Sequence, residues 1–208
     1  RHLTEFWMVE PEIAYCDIEE DMVWAEKLLV YIIKHILENR IDELKTLGRD
    51  ISYLDKISAP FPRISYTECI NILKKDGFDI KWGDDFGSPE ETHISDKYDK
   101  PVIVHRFPSE IKAFYMKRDP ENEKVVLGMD ILAPDGYGEI VGGSERETDI
   151  DVLFHRIEEE KLNKEDYSWF LDLRKFGSVP HSGFGMGLER VVAWICGLSH
   201  IRETIPFA

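Results

Sequence analysis

Arg190 is the residue in this chain best placed to do chemistry, because of what surrounds it. Gly183, Gly185 and Gly187 occupy every second position just before it, so on a strand they share one face and leave that face without side chains. A flat ring fits against such a face. Leu188, Glu189 and Arg190 come next, and Val191, Val192, Trp194, Ile195 and Leu198 then repeat at helical spacing, which predicts a strand running directly into a buried helix. An arginine at that junction offers five fixed donors beside the free N–H groups of the helix's first turn, an arrangement that matches phosphate oxygens. The same glycines also suit close approach by a neighbouring strand, and both readings stand on this stretch alone. The spacing is neither G-x-G-x-x-G nor a Walker loop, so nothing points to a dinucleotide fold or a P-loop.

Asp130 and Glu139 lie on two β-prone runs that flank Ala133-Pro134-Asp135-Gly136-Tyr137, and a hairpin there brings both carboxylates toward one region. Such a pair suits Mg2+, which takes one or two carboxylates and leaves the rest of its shell to phosphate and water. The plain alternative is two ordinary exposed acids among 41 Asp and Glu residues. Arg146 follows Gly142-Gly143-Ser144-Glu145 and either reaches a substrate carbonyl or carboxylate or forms a surface ion pair. None of the seven histidines has the spacing of a transition-metal ligand, and no nucleophile elbow or Ser/His/Asp pattern is present.

The elements that must position these residues follow from periodicity. Residues 5 to 10 predict a strand with Phe6, Met8 and Glu10 on one face, Phe6 and Glu10 standing ~13 Å apart. A long helix begins after Asp17 and ends, with any continuation, near Gly48. Pro60 to Arg63 is extended, Ser65 and Glu68 form a capping box for a second helix stopping at Gly77, and Ser88-Pro89 opens a third. Pro101 to Phe107, Lys112 to Lys117, Val125 to Leu132 and Gly138 to Gly143 predict a meander of mostly antiparallel strands. Helices over about 149 to 161 and 164 to 176 follow, the second capped by Asn163 and stopped by Gly177. Helices, then strands, then helices around one sheet make an α+β domain. At 208 residues with 43% hydrophobic and 12% aromatic side chains, one domain with a sizeable core is expected.

Composition narrows the function. A net charge of −15 argues against a general nucleic-acid binder and against DNA, since phosphate backbones are held by Lys and Arg. Cys16, Cys69 and Cys196 are odd in number and unpaired in spacing, so a reducing, cytoplasmic setting is expected. No apolar run reaches membrane-spanning length. The chain opens at Arg1-His2 without a starting signal and is expected to be part of something longer.

Several stretches together resemble the class II aminoacyl-tRNA synthetases, and within them the asparaginyl branch. RHLTEFWMVEPE at the start is similar to the second half of the family's motif 2. GFGMGLERVVAWICGLSHIRETIPF is similar to motif 3, and IKAFYMKRD, LAPDGYGEIVGGSERE and LDLRKFGSVPHSGFG resemble segments of the asparaginyl branch. The resemblance implies an antiparallel sheet flanked by helices that activates asparagine with ATP and passes it to tRNA(Asn), with Mg2+ as cofactor and a homodimer as the full-length form. It places Arg1, His2, Leu3 and Phe6 at ATP, with Phe6 stacking on adenine. Arg190 matches the triphosphate arginine, with Gly187, Leu188 and Glu189 beside it and Arg1 and His2 also in the catalytic set. Asp130 and Glu139 match the magnesium positions, and Arg146 and Glu10 match positions that touch the amino acid. Motif 1, the F-R-x-E half of motif 2 and the anticodon-binding barrel have no counterpart here, so residues 1–208 are expected to be the C-terminal part of a catalytic domain, inactive alone. A relative that activates aspartate, either for tRNA or to make free asparagine, and a non-catalytic binding module remain open alternatives.

Overall fold

The computed structural model of the chain describes residues 3–207. In chain order, strands β1 (Met8–Val9) and β2 (Glu12–Ala14) lead into helix α1 (Ile18–Asn39) and the short helices α2 (Ile41–Thr46) and α3 (Ile51–Asp55). Strand β3 (Arg63–Ser65) and helices α4 (Tyr66–Lys75) and α5 (Ser88–Ser95) come next. Strands β4 (Val102–His105), β5 (Arg118–Asp119), β6 (Asn122–Val126), β7 (Gly128–Ala133) and β8 (Gly138–Glu145) form the middle of the chain. Helices α6 (Ile150–Glu159) and α7 (Ser168–Lys175), strand β9 (His181–Gly187) and helix α8 (Leu188–Cys196) complete it.

Among the described residues, one seven-stranded sheet runs β1/β2–β9–β8–β7–β4–β3, antiparallel except for the β3–β4 pair. The α+β architecture is the expected one. The local devices are those the residue types dictate: the Asp17 carboxylate accepts from the Glu20 N–H to cap α1, Ser65 and Glu68 form the capping box of α4, and Pro89 sits in the first turn of α5.

Three expectations need correction. The run from Lys112 to Lys117 is not a strand; it is irregular chain after a 3-10 turn at Ser109–Ile111, tied to the end of β8 by an isolated bridge between Met116 and Arg146 and by backbone bonds of Tyr115 and Lys117. Val125 to Leu132 is two strands rather than one, because Leu127 turns out of β6 to bond Lys117 before β7 begins. The first strand begins later than residue 5 and continues past Glu10: Met8 pairs with Gly187 and Ala14 with His181, so β1 and β2 hold one unchanged register against β9 on either side of Pro11. Proline lacks the N–H that would keep the ladder whole there.

One face of the sheet is fully covered. Met129, Ile131, Val141, Phe184 and Met186 pack against Met22, Ala25, Leu29 and Ile33 of α1 and Val191, Trp194 and Ile195 of α8. The opposite face is covered only in part. Val102, Val104 and Leu132 lie under α4 and α5, while α6, α7 and Phe114 form a separate small core. The strip of sheet between them carries the candidate site.

Candidate active site

Four strands place Asp130, Gly142, Gly185 and Glu10 in one row across the open strip, by the pairings of Asp130 with Gly142 and Gly142 with Gly185 and by the register that carries Glu10 opposite Gly185. Two neighbouring glycines form the floor of this row. Glu139 would point into the core by simple alternation, but the β7–β8 pairing shifts between Ile131 and Leu132, setting Val141 opposite the first and Glu139 opposite the second. Ile140 and Val141 therefore both turn into the core, 1% exposed each, and Glu139 comes round to the open face. A β-bulge re-aims one side chain.

Two cavities occupy the strip and share Met8, Glu139 and Gly185. The smaller, about 230 Å3, is bounded by Leu3, Phe6, Gly187, Glu189, Arg190 and Ile201. The larger, about 710 Å3, is bounded by charged groups, Glu10, Glu12, Lys112, Asp130 and Arg146, and by the Trp169 side of α7. The glycine face is not bare along its length. A Cβ at Gly183 would lie 2.6 Å from the Glu12 carboxylate, one at Gly185 would lie 2.7 Å from the Met8 methyl, and one at Gly187 would meet nothing nearer than the Arg190 stem at 3.7 Å. Close approach explains Gly183, and room for a ring exists at the Gly187 end.

At that end Arg190 Nη1 donates to the Glu139 backbone carbonyl at 2.6 Å and lies 3.9 Å from its carboxylate. Glu189 is buried, and both its oxygens accept from the Trp7 N–H at 3.0 Å. At the other end Arg146 donates to Glu12 at 2.6 Å and to the Ser144 hydroxyl at 2.6 Å, with its guanidinium over the Tyr115 ring. Lys112 donates to Asp130 at 2.6 Å. Burial works against the charge on Lys112, but the neighbouring carboxylates, Asp130 foremost with Glu139 and Asp85 behind it, together outweigh it and the lysine's pKa lies above its usual value. The same Asp130 charge, reinforced by burial, pushes Glu139 up to about 7. The arrangement offers a ring slot beside an arginine, and next to it a pocket with fixed donors and acceptors.

The family of class II tRNA synthetases (D, K and N) matches residues 1–208. The chain belongs to that family. It is 56% identical over 207 residues to the asparagine--tRNA ligase of Desulforamulus reducens, all of this chain against 48% of that protein. The crystal structure of asparaginyl-tRNA synthetase from Pyrococcus horikoshii matches with a TM-score of 0.94 at 50% identity, over 98% of this chain and 49% of that one. The structure of the same enzyme complexed with asparaginyl-adenylate gives 0.95 at 50% identity, over 99% and 47%. The chain spans about half the length of these relatives.

Within this class II frame the expected residues fall into three groups. Leu3, Phe6, Gly187, Glu189 and Arg190 meet at the small cavity, and Glu10, Arg146, Asp130 and Glu139 at the large one. Leu188 does not reach either; it is 41% exposed, and its N–H bonds the Trp7 carbonyl. Glu189 reaches the cavity wall with its carboxylate already engaged by Trp7. Arg1 and His2 lie outside the described residues. Glu12 and Lys112 were missed: Glu12 repeats Glu10 at strand spacing, a signal obscured by Pro11, whereas nothing local marks Lys112.

Proposed function

We propose that the protein activates asparagine with ATP to form the asparaginyl-adenylate and passes the asparaginyl group to tRNA(Asn). The observation that carries this reading is the continuous cleft whose apolar, ring-sized end and charged end meet at Met8, Glu139 and Gly185. A nucleotide and an amino acid would lie end to end in it. Phe6 and Gly187 would flank adenine, Arg190 would bind phosphate oxygens, and Arg146 with Glu10 would face the amino acid, one offering donors and the other an acceptor. Catalysis would then be positioning of the carboxylate for in-line attack on the α-phosphate, with the developing charge met by fixed cations.

Asp130 and Glu139 fit a magnesium site, because both carboxylates face the space over Gly142, where a Cβ would lie 2.7 Å from Glu139 Oε1 and 3.5 Å from Asp130 Oδ1, and a divalent ion would relieve the repulsion by which one raises the pKa of the other. No cluster of three or more His, Cys, Asp or Glu side chains that could hold a metal exists among the described residues, so with two carboxylates most of the ion's shell would have to come from phosphate and water. When bound, the ion would neutralise phosphate charge. The family resemblance extends the proposal to a homodimer in the cytoplasm, with residues 1–208 as the C-terminal part of the catalytic domain; no described helix is long and apolar enough to cross a membrane.

ATP–pyrophosphate exchange by the intact protein, run with asparagine and aspartate separately, tests the reading. Exchange driven by asparagine and not by aspartate is expected. A preference for aspartate would move the assignment to an aspartate-activating relative, and exchange with neither would favour a non-catalytic module.

A further inference from the structure

Lys112 is held by two contacts that aim it at the carboxylate pair. Its Nζ lies 2.6 Å from Asp130 Oδ2 and 4.0 Å from the centre of the Phe107 ring. The lysine side chain is 16% exposed and that of Asp130 12%, and Phe107 is itself buried, so the ammonium is braced from behind by an aromatic face and turned away from bulk water. It comes from the irregular 112–117 segment and lines the large cavity, which Asp130 and Glu139 also border. Stability alone does not call for this pair, since a buried ion pair is often no more stabilising than apolar packing of the same volume.

We propose that Lys112 is a positioning residue that makes metal loading conditional on nucleotide: its ammonium bonds Asp130 Oδ2 and so holds a positive charge beside the place where Asp130 and Glu139 would share a divalent cation, and it yields only when phosphate charge enters the cleft. This inference rests on the reading of Asp130 and Glu139 as the magnesium pair. Without phosphate, a divalent ion would gain two carboxylates but would have to displace an ammonium from one of them or lie beside it. With phosphate present, the added negative charge outweighs that repulsion and also gives the ammonium another acceptor. Like charges a few ångströms apart in a partly dry cleft interact strongly enough that removing one should change divalent-ion affinity at least roughly tenfold.

The test uses Mn2+ as a spin probe, titrated into the intact protein with and without ATP and read by electron paramagnetic resonance. The wild type should bind Mn2+ weakly alone and tightly with ATP. Lys112→Met should bind it at least roughly tenfold tighter without ATP, and Lys112→Arg, which keeps the charge, should stay near the wild type. Should Lys112→Met lose its folded circular-dichroism signal, Lys112→Gln carries the same comparison. Nucleotide-free affinity unchanged in the neutral variant, while the wild type retains ATP-dependent Mn2+ binding that Glu139→Gln removes, would overturn the role of Lys112 and leave the metal pair standing. Equal gains in the methionine and arginine variants would overturn it too, by showing that side-chain shape and not charge decides. Were the gained binding to survive Glu139→Gln in the Lys112→Met background, the ion would lie elsewhere, and the assignment of the pair would fail together with the inference.

Discussion

At the Phe6–Arg190 end of the cleft most of the lining comes from two stretches of chain, β1 with the residues before it and the β9–α8 junction, paired in one antiparallel register, with Glu139, Ile140 and Ile201 closing the wall. At the Arg146 end they come from β2, β7, β8, the irregular segment at Lys112 and helix α7, and they hold one another: Glu12 with Arg146, Arg146 with Ser144, Lys112 with Asp130. In the first region strand pairing sets the frame, and Glu189 and Arg190 tie back to it through single backbone groups, the Trp7 N–H and the Glu139 carbonyl. In the second, each charge is part of its neighbour's environment. Substitution should therefore remove a ligand contact cleanly at the apolar end, and should redistribute partners at the charged end.

The largest expected effect sharpens that contrast. Arg190 donates to one backbone carbonyl and is otherwise directed into the cavity. Arg190→Ala in the intact protein should lower asparagine-dependent pyrophosphate exchange by roughly ten- to a hundredfold, the ~1.5–3 kcal/mol of a hydrogen bond to a charged group. The melting temperature should move little. Exchange within about threefold of the wild type in a folded variant, or a variant that melts far below the wild type, would make Arg190 a structural residue and erase the difference between the two ends.

Glu10 and Glu12 probe the charged end. Glu12 already carries a partner in Arg146, whereas Glu10 is exposed and borders the large cavity in the row of Asp130 and the two glycines. An amide requires a donor and an acceptor, and a carboxylate beside Glu10 would meet a like charge. Glu10→Gln should lower kcat/KM for asparagine by roughly ten- to a hundredfold and narrow the discrimination against aspartate. Glu12→Gln should act through Arg146, raising KM for asparagine with less change in kcat. If Glu10→Gln is within about threefold of the wild type while Glu12→Gln loses discrimination, Glu12 is the selector.

How far each region could be read from the sequence follows from the same contrast. The alternation of Phe6, Met8 and Glu10, the glycines of β9 and the arginine at the start of α8 are local patterns, and they predict the apolar end in outline. The Asp130–Glu139 pairing was also legible, because a short hairpin joins the two runs. The bulge that turns Glu139 outward was not, since it depends on Ile140 and Val141 both finding room in the core. The irregular course at Lys112 has a related reason: only the far end of this β-prone run, from Tyr115 to Lys117, meets the chain beside β8, and Lys112 lies before it. Glu12 was passed over because Pro11 hides the continuity of the edge strand. Contacts between distant segments decided all three.

A smaller effect separates the glycines. A methyl at Gly183 would meet the Glu12 carboxylate and the Pro11 carbonyl, both at 2.6 Å, and the carbonyl belongs to backbone that cannot step aside. A methyl at Gly187 would make only an ordinary contact at 3.7 Å with Arg190. Gly183→Ala should destabilise by roughly 1–3 kcal/mol, as overpacking does, and loosen the Glu12–Arg146 pair. Gly187→Ala should melt near the wild type and raise KM for ATP instead. Denaturant titration of the two variants distinguishes a strand-approach glycine from a ring-slot glycine; equal stability would merge the two ends of β9 into one role.

The smallest predicted effect tests whether the charged end reaches through the sheet. Asp21 of α1 is fully buried, one oxygen 3.0 Å from where a Cβ on Gly143 would stand, and neither oxygen has a hydrogen-bond partner among the described residues. Burial pushes its pKa up to about 7, with Arg146 pulling the other way and Glu12 adding to the rise. In the unfolded chain the group titrates near ~3.9, so the folded protein holds this proton more tightly. Its contribution to stability is complete below about pH 4 and is lost as pH rises toward 7, because the unfolded state then gains more by ionising. Asp21→Asn keeps the shape without the charge, and an unpaired neutral group costs less to bury than a carboxylate. The variant's melting temperature relative to the wild type should therefore rise between pH 6 and pH 8 by a few degrees, the scale of roughly 1 kcal/mol in a protein of this size. Adding Glu12→Gln should shrink that rise, since it removes one of the charges that raise Asp21. A difference between variant and wild type that is the same at both pH values would show that Asp21 does not titrate in this range, and would confine the coupled charges to the open face of the sheet.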